Sequence, residues 1–154
     1  MQRPIEGFHQ DDVGDWVADL SCGHGQHVRH KPPFWTREWT QTPEGRASRI
    51  GAELDCVRCD HFELPESFAP YKRTADFDEH SVPAGLLADH STKRGVWARI
   101  HVLGGALTYI VEPPLAREQL VAAGESAIVV PEVVHRVRPE GPVRFFVEFH
   151  RRPA

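Results

Sequence analysis

The chain has no run of apolar residues near the length of a membrane span, which needs roughly 20. Its N-terminus, MQRPIEGFHQDD, lacks the apolar core of a secretory signal. Both absences predict a cytoplasmic protein with no membrane segment. A basic excess is also missing. The net charge is −4, and residues 1–62 and 63–154 carry about −3 and −1. This argues against a nucleic-acid partner. No internal repeat or low-complexity tract is present. The only glycine groups, GHG and GG, fall short of a nucleotide or S-adenosylmethionine motif, so methyl transfer is rejected.

Cysteine is scarce as well. There are three, an odd number, all between positions 22 and 59. A cytosolic chain with that count does not carry a disulfide framework. What is present divides the chain in two. Residues 1–62 hold all the cysteines, three of the four tryptophans and five of the ten histidines. Residues 95–150 are rich in Val, Ile and Phe with Gly and Pro between them. The proline-containing stretch HFELPESFAP (61–70) joins the two regimes.

In the first part, DWVADL (15–20) alternates as a strand does, and HVRH (27–30) reads as its returning partner. Thr42-Pro43-Glu44 has the form of a helix start, with the helix running to about Ile50 and stopping at Gly51. LDCVRCD then makes a tight knuckle. Cys56-x-x-Cys59 puts two thiolates on that knuckle, and Cys22 with His24 or His27 supplies the other half of a tetrahedral set. Zinc takes such sulfur and nitrogen donors, and its structural sites close with four protein ligands. His30 and His61 are further candidates for the fourth. Thiols without a metal, or a redox CxxC, are the alternatives; the CxxC has no βαβ pattern around it. Such a zinc is structural rather than catalytic, because no open position or general acid can be located beside it. The stretch from Arg29 to Trp39 mixes basic and aromatic residues. It offers either a recognition surface for RNA or a protein partner, or tryptophans for a small core.

The second part reads as successive strands: 72–78, 96–103, 106–111, 117–122, 126–130, 135–139 and 143–150. Glycine and proline separate them, as in an all-β sandwich or barrel. Gly104-Gly105 followed by LTY, and later PEVVH (131–135), has the rhythm of a cupin. The usual HxH-plus-Glu motif is missing. His90, His135 and Glu148 are the candidate barrel ligands for iron, manganese, nickel or zinc, with His101 on a strand that could face either way. Alternatively the histidines are structural and Glu148 pairs with Arg136 or Arg144. In the last strand Val143, Phe145, Val147 and Phe149 share one face, so Glu148 points out of a barrel if that face points in.

Residues 64–152 resemble the cupin-like domain of YeaR-type proteins, which also occurs at the N-terminus of TehB tellurite-resistance proteins. The matching pieces are LPESFAPYKRT, VPAGLLADHSTKRGVW, the Gly turn with LTY, VVPEVVHRVRP and VRFFVEFHR. Residues 6–60 resemble a small bacterial family through GFHQDDVGDWVADLSCGHGQHVRHKPPFWTREW, GRASRIG and LDCVRCD. The resemblance implies a double-stranded β-helix for the second part and an association with oxyanion or nitrosative stress. The combined expectation is a mainly β chain: a small zinc-stabilised α+β module (1–62), then a cupin-type barrel (63–154). Its barrel would bind a small molecule or anion, and apolar residues on both faces of 143–149 are compatible with a homodimer. The runner-up is a metal-dependent cupin oxygenase. A third reading is a regulatory module acting through residues 29–39.

Overall fold

The first strand is one the sequence pattern hides. β1 (Gln2–Gln10) contains Pro4 and Gly7 and shows no clean alternation, yet it pairs on both edges. It runs antiparallel to β2 (Trp16–Leu20), which in turn pairs with β3 (Gly25–His27). A single-turn 3₁₀ helix (Glu38–Gln41) and α1 (Pro43–Ala47) follow. Then comes β4 (Glu53–Asp55), on the far edge of β1, and α2 (Val57–Asp60). The sheet order is β3-β2-β1-β4. Pro4 costs the ladder one donor, but its carbonyl still accepts from the Ser21 amide at 3.0 Å. The computed structural model describes residues 1–154. The chain divides into two units, Met1–Arg58 and Cys59–Ala154, and the division falls inside α2.

In the first unit the helix start is as expected. The Thr42 hydroxyl accepts from the Gly45 amide at 3.0 Å, with Pro43 at the first helical position. The helix ends earlier, at Ala47, and a run of turns carries the chain to Gly51. The returning strand is also shorter and earlier than HVRH. The tryptophans do not make the core. Trp35 is exposed, while Trp16 and Trp39 are half-buried beneath the guanidinium groups of Arg46 and Arg49. The buried set is instead Ile5, Val17, Ala18, Leu20 and Val28 together with Cys22 and Cys56. So few aliphatic residues bury too little area to hold so small a unit comfortably.

The second unit is built on two long strands. β5 (Ala69–Arg73), β6 (Phe77–Asp78) and the short helix α3 (Ala84–Leu87) lead into β7 (Trp97–Val111). β8 (Arg117–Ala122) and β9 (Ser126–Val129) follow, then β10 (His135–Arg151). The segment expected as one strand at 72–78 is two, interrupted at Thr74–Asp76. Conversely, Gly104-Gly105 and Gly141-Pro142 are not turns between strands. They are bends within β7 and β10, and they lie opposite one another, with Gly105 beside Val143. Gly105 has φ +65°, and a Cβ there would sit 1.8 Å from the Pro142 carbonyl oxygen. Only glycine permits this approach.

The bends let each long strand serve two ladders. The first half of β7 pairs with β9 and the second half with β8, while β10 runs along its other edge throughout. β5 and β6 pair with the second half of β10. Residues from both halves line one interior cavity, which makes the unit a cupin-type barrel, as expected. Trp97, Leu107, Tyr109, Val121 and Phe145 are fully buried in this unit, and Phe145 lines the cavity.

Candidate metal centre and barrel cavity

Two tight turns build the candidate centre. Between β2 and β3 the chain reverses within Leu20–His24: the Leu20 amide donates to the His24 carbonyl at 3.0 Å, and the Gly23 amide to the Leu20 carbonyl at 2.9 Å. Gly23 takes φ +96°, which glycine adopts without strain. Cys22 and His24 therefore project from one turn. Cys56 follows β4, its amide donating to the Met1 carbonyl at 2.7 Å. Cys59 lies three residues later, within α2, and this spacing brings its thiol back beside that of Cys56.

The four ligand atoms of Cys22, His24, Cys56 and Cys59 lie within 4.8 Å of one another, and all four residues are buried. No disulfide joins the cysteines. The Sγ atoms of Cys22 and Cys56 are 3.8 Å apart. Two thiolates, each about 2.3 Å from a zinc at the tetrahedral angle, would be about 3.8 Å apart. His24 Nδ1 lies 3.4 Å from Cys22 Sγ and 3.3 Å from Cys56 Sγ. The corresponding sulfur–nitrogen edge for zinc is about 3.6 Å, a few tenths longer. Burial opposes a charge on His24. Hydrogen bonds to Cys22 and Cys56, with their negative charge, outweigh it and lift the imidazole pKa to about 9. The same field favours a cation among the sulfurs. The donor set therefore fits a zinc ion, and this Cys₃His cluster could hold one.

His27 stays outside. It is exposed at the end of β3, with Nε2 2.9 Å from an Asp11 carboxylate oxygen. The hairpin reverses too soon for a residue five positions after Cys22 to come back beside it. His30 Nδ1 accepts the Arg37 amide, and His61 faces Glu63. In the Arg29–Trp39 stretch, Lys31 and Trp35 close a small loop through paired backbone hydrogen bonds, with Phe34 at its tip 84% exposed. Arg29 is held by Asp15 at 3.0 Å, and Arg37 donates to the Arg29 carbonyl at 3.1 Å.

The three barrel candidates do not converge. His135 and His90 meet, with ring centroids 4.1 Å apart and reciprocal backbone hydrogen bonds of 3.0 and 2.8 Å. Glu148 lies on the opposite face of β10. There one oxygen is 2.9 Å from His150 Nε2 and 3.4 Å from His101 Nε2. Glu148 is held below the usual carboxylate range: burial works the other way, and the two imidazoles outweigh it. Strand alternation is the reason: His135, Val137, Phe145, Val147 and Phe149 face the interior, and even-numbered neighbours face out. Its partners are thus histidines, not Arg136 or Arg144. His150, the partner the sequence reading overlooked, was visible as Glu148+2.

The interior is a cavity of about 380 Å³ with mostly aliphatic and aromatic walls. His90 and His135 stand on one wall, and Lys72 and Lys93 also line it; no carboxylate does. His135 Nδ1 lies 3.0 Å from the Val133 carbonyl oxygen and His90 Nδ1 3.0 Å from that of Ala88. Carbonyls only accept, so each Nδ1 carries a proton, which leaves Nε2 as the acceptor in the neutral form of either ring. Burial, with repulsion from His90, pulls the His135 pKa down to about 4 against the Val133 hydrogen bond. The ring is neutral at pH 7.

Residues 6–63 match the model of a family described as a protein of unknown function, DUF3565. Residues 72–147 match the TehB-like domain. The chain joins a DUF3565 segment to a TehB-like domain. The Cys₃His cluster falls within the DUF3565 segment, and all three barrel candidates but Glu148 fall within the TehB-like match. Among solved structures, the chain is similar to a protein from E. coli K12, at 25% identity over 59% of this chain and 97% of that one, with a TM-score of 0.54. It is similar also to TehB from Haemophilus influenzae, at 21% identity over 56% of this chain, with a TM-score of 0.52. That match spans only 32% of TehB, and it shows the fold. A cupin-2 domain containing protein from Shewanella frigidimarina matches at 12% identity over 55% of this chain and 71% of that one, with a TM-score of 0.35. No curated protein matches. No helix is long and apolar enough to cross a membrane.

Proposed function

We propose that this is a cupin-type metal-binding protein in which Cys22, His24, Cys56 and Cys59 hold a structural zinc, and in which the TehB-like barrel binds a small ligand without metal chemistry. One contrast supports this reading. Cys22, His24, Cys56 and Cys59 offer a complete, buried four-ligand set. The barrel interior offers two histidines and no carboxylate. A metal-dependent oxygenase needs at least three ligands with positions left open. The resemblance to TehB and YeaR-type domains supports a role in oxyanion or nitrosative stress, in the cytoplasm. The engagement of Arg29 and Arg37 within the chain speaks against a nucleic-acid surface at 29–39.

Metal analysis of the full chain, purified with zinc, iron and manganese supplied, tests this. The expected result is one zinc per chain, lost in Cys59→Ser, and no second transition metal. A wild-type protein without zinc removes the structural site. A second tightly held metal that disappears in His135→Leu replaces the binder with the enzyme reading.

A further inference from the structure

We propose that the barrel cavity takes a small organic anion with an apolar, single-ring body and a hydroxyl or N–H donor. This rests on the reading that the cavity is the ligand site, and it names the ligand class. Three features of the wall carry it. The first is the histidine pair. Both Nδ1–H groups are tied to backbone carbonyls, and neither Nε2 has a protein partner. His135 is only 4% exposed, and both histidines line the cavity. An acceptor on such a wall is matched by a ligand that brings a donor. The two rings are 4.1 Å apart, so their outer nitrogens stand side by side.

The second feature is charge. Lys72 and Lys93 are exposed residues that line the cavity, and neither forms an ion pair within the protein. With no carboxylate in the lining, the field they create is uncompensated and favours an anion. The third is the remaining wall. Ile100, Val129, Phe145 and Val147 are apolar, and the volume of about 380 Å³ lies at the small end for ligand pockets, roughly 300–1,000 Å³. A bare inorganic oxyanion would leave those walls without a counterpart. A cation would meet two lysines.

The test uses the full chain and three probes: para-hydroxybenzoate, benzoate without the donor, and para-hydroxybenzamide without the charge. Binding is followed by calorimetry and by the imidazole resonances of His90 and His135. The hydroxy acid should bind best and shift both rings, with each analogue weaker by about tenfold, the worth of one good polar contact. His90→Phe should abolish the preference for the hydroxyl, and Lys72→Gln with Lys93→Gln the preference for the charge. His90 is half-buried, so its variant keeps the test alive where His135→Leu fails to fold. Equal binding of acid and amide, or of acids with and without the hydroxyl, overturns the ligand class while leaving the cavity as a ligand site. Probes that leave both rings unmoved in a folded barrel overturn the site reading too. Manganese alone broadening the His90 and His135 resonances assigns the pair to a metal instead.

Discussion

Replacing Cys56 with alanine should unfold the first unit selectively. Cys56 is buried and sits 3.8 Å from Cys22 Sγ and 3.3 Å from His24 Nδ1. The substitution removes one of four donors and leaves two thiolates and an imidazole in a space closed to water. A structural zinc contributes about 10–16 kcal/mol of apparent binding free energy in small peptides, and that energy is folding energy. An equal share of that for one ligand of four is about 2.5–4 kcal/mol, so the loss should cost several kcal/mol. The aliphatic core of this unit, chiefly Ile5, Val17, Leu20 and Val28, is too small to absorb such a loss. Amide hydrogen exchange reads the two units separately. Amides of β1, β2 and β4 should lose protection, while those of β7 and β10 keep it. A chromophoric chelator should take the zinc from the variant at concentrations that leave the wild type loaded. A Cys56→Ala protein whose β1 amides stay protected and whose zinc stays bound would refute the reasoning.

The buried neutral His135 should make the barrel acid-sensitive. Its pKa falls from 6.5 in the unfolded chain to about 4 in the fold, so the unfolded state binds the extra proton between those values. Stability is complete above pH 6.5 and declines as the pH drops towards 4, by about 3 kcal/mol in all. Urea midpoints at neutral pH and near pH 4.5 measure this, and His135→Leu should flatten that part of the profile. Gly105→Ala puts a methyl against the Pro142 carbonyl at a positive φ and should cost several kcal/mol by thermal melting; a melt like the wild type would show that the bend is not required. Thr42→Ala removes the α1 cap and should cost about 1 kcal/mol, seen as faster exchange at the Gly45 amide.

Local chemistry made much of the first unit legible before any coordinates. The CxxC spacing, the Thr-Pro helix start and the β2 pattern each act over a few residues: the two thiols come together with Cys22, the helix starts at Pro43, and 16–20 is a strand, although Val17 and Ala18 are both buried. The four-ligand set follows from that chemistry once Cys22 is given a partner, but the choice between His24 and His27 needed the hairpin. Where the chain reverses is decided by backbone hydrogen bonds across Leu20–His24, not by the spacing of the ligands. β1 was illegible because its strand character comes from neighbours on both edges rather than from its own pattern.

In the second unit, sequence alone determined the β-rich character, the cupin-type rhythm and the apolar face of 143–149. Tertiary structure decided what the glycines do. Gly-Gly and Gly-Pro signal a turn to any local reading, but here two long strands bend together because their bends pair with each other. It also decided the fate of Glu148. Alternation could say that Glu148 opposes Phe149, but only packing could say which face closes around the cavity. A residue's chemistry is local, while inside and outside are properties of the whole sheet.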